Sequence, residues 1–260
     1  MTTLEKSLYW SHLWKYYGNV PSIAMCRVPE LEYASKLQLS GRILDHCCGD
    51  GEIAGLSWPG KIVAAGCDMD GKALDLARKR GNYKRLDQCD ASKNLPYEDA
   101  SFDVVYNNSA LEHIPDLDAA LVEVARVTAP DGIFAFSLLN KRFYDWWPLG
   151  DKARDAYRKW QPVYHAPDLA EWTAKLERVG FKVRSVSGYF DRKAASELAY
   201  LDYEFSGVNM RKRRSSLVEW YWRFPGIMQW YWQRRLAGLQ WETGPDEGAG
   251  YFIQAVRVRK

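Results

Sequence analysis

Three aspartates stand at positions where a carboxylate could bind a ligand. Asp45, Asp68 and Asp90 each close an apolar run that predicts a β-strand. Since ligands of open parallel sheets bind at the carboxyl edge of the strands, we expect the three side chains at one edge. An unpaired buried carboxylate is costly, so each must be solvated, paired or ligand-bound. Such acids could accept hydrogen bonds from ribose hydroxyls and from an adenine amino group.

A glycine-containing loop follows the first of these aspartates. The stretch from Ile43 to Gly51 reads ILDHCCGDG, with a short apolar strand, Asp45, and then Gly49 and Gly51. Glycine allows a sharp turn and lets a ligand approach the main chain, because it has no Cβ. A strand, a glycine loop and the start of a helix predict a site for an adenine-containing cofactor. Glycines at this kind of turn can also serve packing alone.

Strand and helix patterns alternate through the middle of the chain. Apolar runs at 43–45, 61–68, 83–90, 102–107, 133–138, 181–186 and 251–258 predict strands, and 71–80, 117–128 and 167–179 predict helices. This alternation indicates a parallel sheet with helices on both faces. The segment 140–163 is interpreted as an aromatic loop.

The flanks of this region are rich in aromatic residues. In 1–40, the residues Leu8, Tyr9, Leu13, Tyr16 and Tyr17 recur at helical spacing, and a second helix is predicted from Pro29 to Leu37. The simpler interpretation is that the first helix packs this face against a core. The alternative is a lid in which Tyr16 or Tyr17 contacts a substrate.

The motifs together resemble those of the class I S-adenosylmethionine-dependent methyltransferases, in the broad small-molecule branch whose first motif is LDxGCGxG. The matching residues are Leu44–Gly51 for the first motif, Asp68-Met69 after the second strand, Cys89-Asp90-Ala91 before a LPYEDASFD run, Asn107 at the start of NNSALEHIPD, and Pro130-Asp131-Gly132 before the fifth strand. The resemblance covers about 40–190 and the final strand.

The resemblance implies an α/β fold: a doubly wound, seven-stranded, mostly parallel, Rossmann-like sheet with N-terminal helices and a helical insertion before the last strand. It implies one methyltransferase domain over 1–260, divided into a helical cap (1–40), a cofactor-binding core (41–190), an insertion (191–248) and a final strand (249–260). S-adenosyl-L-methionine is the implied cofactor. Its implied binding residues are Asp45, Cys47, Gly49, Gly51, Asp68, Met69, Asp90, Ala91 and Asn107.

Two positions depart from the family pattern. Cys47 stands where the family has its first loop glycine, and its side chain narrows the approach to the cofactor's carboxypropyl end. Asp70 follows Asp68 closely, so it is the reserve candidate for the ribose.

Methyl transfer from a sulfonium needs the acceptor to be held in line with the methyl group, about 3–3.5 Å away. His113 is the best-placed candidate for a general base, because imidazole titrates near neutral pH. The alternative is that His113 only orients its loop. His46 and His165 are expected to be structural.

Composition limits the possible partners. The 260 residues carry a net charge of +3, which requires no polyanionic partner, and nucleic acid is not expected. Five cysteines without zinc-ligand spacing predict no metal site and reduced thiols in the cytoplasm. No signal peptide or membrane-spanning run is apparent. An oligomeric state is not predicted.

The stretch 211–236 combines tryptophan, tyrosine and arginine. Leu217, Tyr221, Phe224, Met228 and Tyr231 are predicted to form one apolar helix face. This segment could pack on the core, cover a small substrate, or contact a membrane surface.

The function predicted is methyl transfer to a small molecule, an apolar or aromatic metabolite methylated at oxygen. The alternative is a non-catalytic protein that keeps this fold and docks on a membrane or nucleic acid.

Overall fold

The computed structural model describes residues 2–206 and 216–259. In these ranges the α-helices are α1 (Trp10–Tyr17), α2 (Pro21–Ala34), α3 (Glu52–Ser57), α4 (Gly71–Arg80), α5 (Leu117–Val127), α6 (Lys141–Asp145), α7 (Asp151–Trp160), α8 (Leu169–Arg178), α9 (Arg192–Phe205), α10 (Ser216–Arg223) and α11 (Pro225–Ala237). The strands are β1 (Ile43–His46), β2 (Ala65–Asp68), β3 (Leu86–Gln88), β4 (Phe102–Asn108), β5 (Thr128–Leu139), β6 (Phe181–Tyr189), β7 (Glu242–Thr243) and β8 (Gly250–Arg257).

The strands form a mostly parallel sheet in the order β3-β2-β1-β4-β5-β8-β6-β7. Strands β1–β2, β2–β3, β1–β4 and β4–β5 pair in parallel, and β6–β7 is antiparallel. The described strands number eight rather than the predicted seven. The additional one is β7, whose two residues were too few to produce an alternating pattern.

The strand order reverses direction at β1. From β1 the chain builds outward through β2 to β3, and then returns to add β4 on the other side of β1. Such a reversal leaves a crevice at the carboxyl edge of the strands, where ligands of doubly wound sheets bind. All four residues of β1 are buried, as expected for a strand with elements on both faces.

Chain contacts divide the molecule into two compact units. The first comprises 1–32, 140–163 and 187–251, and the second comprises 33–139, 164–186 and 252–260. In the second unit, the core includes Val105, Phe134 and Trp172, all fully buried. The helix α4 has the predicted bounds. The helix α8 begins with a capping box in which the Asp168 carboxylate accepts from the Glu171 N–H, and the Glu171 carboxylate accepts from the Asp168 N–H.

Several sequence interpretations were wrong in detail. The segment 140–163 is not a loop, since it contains α6 and α7. The second helix was predicted at Pro29–Leu37, but α2 begins at Pro21, where a proline in the first turn lacks no needed N–H, and continues through Pro29 to Ala34. The strand predicted at 83–90 is confined to β3. The face of α1 also differs: Trp10, Leu13 and Trp14 are buried, whereas Leu8 precedes the helix and is exposed.

Candidate cofactor site

The loop between β1 and α3 requires left-handed backbone geometry at three positions. Cys47 has φ 60°, Gly49 has φ 54° and Gly51 has φ 74°. A Cβ on Gly51 would lie 2.7 Å from the Tyr83 Cε2 atom, whereas one on Gly49 would meet no atom within 4 Å. The Gly51 position therefore needs glycine for both backbone and packing, and Gly49 leaves open space beside the loop. Cys47 adopts the conformation that suits the family's glycine, at a steric cost.

Asp45 is the third of the four residues of β1, and it is buried. Its Oδ2 accepts a hydrogen bond of 2.6 Å from the Tyr83 hydroxyl. Burial raises the pKa of Asp45 to about 7, the Tyr83 hydrogen bond opposes this, and the nearby Asp68 adds to it. Asp45 can thus carry a proton near neutral pH, which is unusual for a carboxyl.

His46 and Asn107 lock β1 to β4. They are register neighbours in the parallel pair, and both are fully buried. The Asn107 Nδ2 donates to the His46 carbonyl at 2.9 Å and lies 3.0 Å from the His46 Nδ1. Burial lowers the pKa of His46 to about 4, so its imidazole is neutral at physiological pH. Among the described residues, the His46 Nε2 and the Asn107 Oδ1 have no hydrogen-bond partner.

Asp68 joins the glycine loop to the end of β2. Its Oδ2 accepts from the Gly49 N–H at 2.8 Å, and its Oδ1 accepts from the Asp70 N–H at 2.9 Å. Each carboxylate oxygen has a second lone pair for another donor. Asp70 is used differently, because its Oδ1 caps α4 by accepting from the Lys72 N–H.

Asp90 closes a tight turn after β3. Its Oδ1 accepts from both the backbone N–H and the hydroxyl of Ser92, at 2.9 Å and 2.7 Å, and Lys93 lies 3.3 Å from its Oδ2. These bonds, those from Ser92 above all, lower the pKa of Asp90. It is therefore a fixed carboxylate at neutral pH.

A cavity of about 460 Å³ lies at this edge of the sheet, within the second unit. It is lined by Cys47, Cys67, Asp68, Met69, Cys89, Asp90, Ala91, Ser92, Ala110, His113, Ile114, Pro115 and Asp116. The structure thus brings together six of the residues singled out in the sequence: Cys47, Asp68, Met69, Asp90, Ala91 and His113. Asp45, Gly49, Gly51 and Asn107 lie in the loop and strands behind the lining.

Some lining residues were not singled out in the sequence. Ala110 and Ile114–Asp116 belong to the quoted NNSALEHIPD stretch, so their position after β4 was an available signal. Cys67 and Cys89 each precede an acid at a strand end; Cys89 was quoted within a motif, but neither cysteine was assigned a role at the cavity. A hydrogen bond to Cys89 and burial hold the pKa of Cys67 well above its usual range, and burial raises the pKa of Cys47. Cys47 and Cys67 are therefore neutral thiols.

His113 ends a short 3-10 turn, Leu111–His113, and lines the cavity. Tyr16 and Tyr17 belong to α1 in the first unit, where Tyr16 is exposed and Tyr17 is half-buried. Their contact with a substrate stays a prediction. No group of three or more potential metal ligands occurs within 2–206 and 216–259.

The residues at the cavity suit an adenosyl cofactor. The volume is in the range typical of small-molecule sites. Met69 and Ala91 supply apolar surface, the Asp68 carboxylate keeps free lone pairs, and the open space at Gly49 lets a ligand reach the main chain. Apolar walls together with carboxylates that can accept hydrogen bonds suit a nucleoside with an amino-acid tail.

Residues 44–136 match the family model described as a methyltransferase domain. The matched segment contains the glycine loop and every residue that lines the cavity. The sheet itself is Rossmann-like and mostly parallel.

The chain is also similar to curated proteins that are named as methyltransferases. Over 108 residues the chain is 36% identical to a demethylmenaquinone methyltransferase from Lactobacillus johnsonii, covering 37% of this chain and 43% of the relative. Over 136 residues it is 28% identical to a ubiquinone biosynthesis O-methyltransferase from Coxiella burnetii, covering 50% and 58%. The chain thus spans about half the length of these relatives.

Similarity at the level of fold extends further. A crystal structure of a SAM-dependent methyltransferase from Thermotoga maritima covers 97% of this chain, and 96% of that chain is covered in turn, with a TM-score of 0.60 and 17% identity.

Proposed function

We propose that the protein transfers a methyl group from S-adenosyl-L-methionine to an oxygen of a small apolar or aromatic metabolite. The observation that carries the proposal is the cavity in which Asp68, Asp90 and His113 face the same space. When bound, the cofactor supplies an electrophilic methyl group on sulfur. The chain's own part is to bind, to orient and to exclude water.

Each cofactor residue has a proposed task that follows from its surroundings. Asp68 would hold the ribose hydroxyls, because its two oxygens are fixed by backbone N–H groups and retain lone pairs. Met69 and Ala91 would pack on the adenine, and Asp90 would face its edge. The loop at Cys47, Gly49 and Gly51, supported by Asp45 and Asn107, would receive the methionine part.

His113 is proposed as the general base for an acceptor hydroxyl. His113 lines the cavity with Asp68 and Asp90, and a neutral imidazole nitrogen can accept a proton from a hydroxyl group. Oxygen as the acceptor atom is supported by the similarity to the ubiquinone biosynthesis O-methyltransferase from Coxiella burnetii. We propose further that 1–260 act as one domain in the cytoplasm and that Tyr16 or Tyr17 contacts the acceptor.

Calorimetric titration with S-adenosylhomocysteine tests the cofactor site. Asp68→Ala should weaken binding by about 100-fold, since hydrogen bonds to a charged group contribute about 1.5–3 kcal/mol each. Asp70→Ala is the matched control: it removes a helix cap next to the site and should lower stability by about 1 kcal/mol while leaving affinity nearly unchanged. Equal affinity of wild type and Asp68→Ala would refute the ribose assignment.

A second experiment tests the reaction. Wild type and His113→Gln are assayed for methyl transfer to a panel of phenols, carboxylic acids and amines across the pH range. If His113 is the general base, the His113→Gln variant should have a lower kcat and an unchanged affinity for S-adenosylhomocysteine. Cofactor binding without transfer to any acceptor would favour the non-catalytic alternative.

A further inference from the structure

Two consecutive helices of the first unit expose an unusual set of apolar side chains. We call it the aromatic face, and it consists of Trp220, Trp222, Phe224, Ile227, Trp230 and Tyr231. Their exposed fractions range from 38% at Phe224 to 68% at Ile227. Single exposed apolar residues are ordinary on protein surfaces, but six in twelve residues of α10 and α11 form a concentrated patch.

The aromatic face is held outward because another side of the same helices is anchored. Val218, Tyr221, Trp232 and Leu236 are buried. The Tyr221 hydroxyl donates to the Gly18 carbonyl, and the Phe205 and Tyr221 rings meet edge to face. The predicted apolar face through Tyr221, Phe224 and Tyr231 was therefore wrong: Tyr221 packs inward, and the other two are exposed.

The exposed residues follow helical spacing. Ile227, Trp230, Tyr231 and Arg234 are three or four positions apart on α11, so they share one side of the helix. The Trp220 ring of α10 lies with its centroid 5.2 Å from that of Phe224, the residue between the two helices. The exposed side chains are thus grouped along each of the two helices.

Positive charge accompanies the aromatic rings. From 216 to 237 the chain carries Arg223, Arg234 and Arg235 and one acid, Glu219. The Arg234 guanidinium lies 4.8 Å from the Trp230 ring centroid, and the Arg223 guanidinium lies 5.7 Å from the Phe224 ring centroid. Arg235 also forms an ion pair with Glu197. The aromatic face therefore presents apolar rings with basic groups beside them.

We propose that the aromatic face binds the surface of a bilayer containing anionic phospholipid. Tryptophan, tyrosine and phenylalanine suit the boundary between headgroups and acyl chains, and arginine is attracted to anionic headgroups. In the described part of the chain no helix is long and apolar enough to cross a membrane. At 13 residues, α11 would lie in the plane of the interface.

The same observations favour a bilayer over nucleic acid. Single-stranded nucleic acid needs exposed ring faces on which bases can stack. At Trp230 and Phe224 an arginine already lies over the ring. Ile227, the most exposed member, offers no ring at all. The predicted membrane contact spanned 211–236, of which 211–215 lie outside the described residues.

The test is vesicle flotation of the full-length protein, using phosphatidylcholine vesicles with and without phosphatidylglycerol, at low and high salt. Wild type should float with the phosphatidylglycerol vesicles and be released by salt. Ile227→Glu/Trp230→Glu should reduce the bound fraction by about tenfold or more, because two charges would enter the interface. Leu76→Glu/Val122→Glu, which changes two exposed apolar residues of the second unit, is the matched control and should float like wild type.

Cofactor titration keeps this test separate from the proposed function. All variants should bind S-adenosylhomocysteine like wild type, which also shows that they fold. A wild-type protein that binds the cofactor but floats with neither vesicle overturns the membrane proposal alone. Equal flotation with and without phosphatidylglycerol would overturn the proposed requirement for anionic phospholipid. Sedimentation could instead show a wild-type dimer that does not float and that the Ile227→Glu/Trp230→Glu variant dissociates. That result would assign the aromatic face to a second copy of the chain.

Discussion

At the cavity, Asp68 has both carboxylate oxygens engaged by backbone N–H groups, whereas on α11 the Trp230 side chain is 57% exposed. The two regions meet solvent for different reasons. Strand ends and a glycine loop hold Asp68 in place, so its exposure leaves capacity for a ligand. Trp230 is exposed because another side of its helix is already packed.

The two regions differ in what determines where a side chain lies. At the strand ends, the position of a side chain follows from the local backbone: a strand terminates, the next residue turns, and the acid points across the edge. On α10 and α11, aromatic residues occur on every side, and tertiary packing selects Val218, Tyr221, Trp232 and Leu236 for burial. Mutations should therefore act locally at the cavity and unequally along α11.

The sharpest contrast along α11 is between two tryptophans two positions apart. Trp232→Ala should lower the free energy of unfolding by about 3–5 kcal/mol, because it removes a large buried side chain and leaves a cavity. Trp230→Ala should change it by about 0.5 kcal/mol or less, as expected for an exposed position. Urea unfolding measures both. Equal losses would mean that the aromatic face is part of a packed core.

The sequence predicted the strand-end region far better than these helices. Asp68, Met69, Asp90, Ala91 and His113 all line the cavity, since each follows a strand end whose position a motif marks. The motif did not show that Asp45 and Asn107 lie behind the lining, because that depends on register and on partners distant in sequence, such as Tyr83.

Periodicity was a poor guide where most residues of a helix are apolar or aromatic. In α1 it favoured Leu8 and Tyr16, yet Trp10 and Trp14 are buried. It also missed α6 and α7, whose aromatic and charged residues resembled a loop. A pattern of one apolar stripe predicts the buried side only if the other sides are polar.

Asp45 should make stability depend on pH. The pKa of Asp45 is about 7 in the folded protein and about 4 when unfolded. This difference corresponds to a contribution of at most roughly 4 kcal/mol to the free energy of unfolding. Because the folded pKa is raised, this contribution is complete below pH 4 and is lost as pH rises through 7. His46 acts in the opposite sense, its contribution being lost as pH falls from about 6.5 through 4.

Unfolding of Asp45→Asn across pH 4–8 separates the two groups. Relative to wild type, the variant should gain stability as pH rises, because its side chain cannot ionise. Asp75→Asn, at an exposed ion pair with Arg78, serves as control and should follow wild type closely. Parallel curves for wild type and Asp45→Asn would show that burial does not perturb Asp45.

Gly51 of the glycine loop should be more sensitive to substitution than Gly60, a glycine outside the loop that has the same φ. Gly51 and Gly60 both have φ 74°, but an added Cβ meets the Tyr83 ring only at Gly51. Gly60→Ala should cost about 1–2 kcal/mol from backbone strain. Gly51→Ala should cost about 1–3 kcal/mol more from overpacking. Urea unfolding compares them, and equal losses would argue that Tyr83 moves aside freely.

Adjacent cysteines provide the smallest and most selective contrast. Cys47 has φ 60°, where a Cβ is strained, and Cys48 is not among the residues with positive φ. Relative to alanine at the same position, glycine at 47 should raise the free energy of unfolding by about 1 kcal/mol. Glycine at 48 should lower the free energy of unfolding by about 0.5–1 kcal/mol, because the main effect there is the greater conformational entropy of the unfolded chain. If glycine lowered the stability at both positions, the loop would not hold Cys47 in the left-handed conformation. The prediction that the Cys47 side chain narrows the approach to the cofactor would then be wrong.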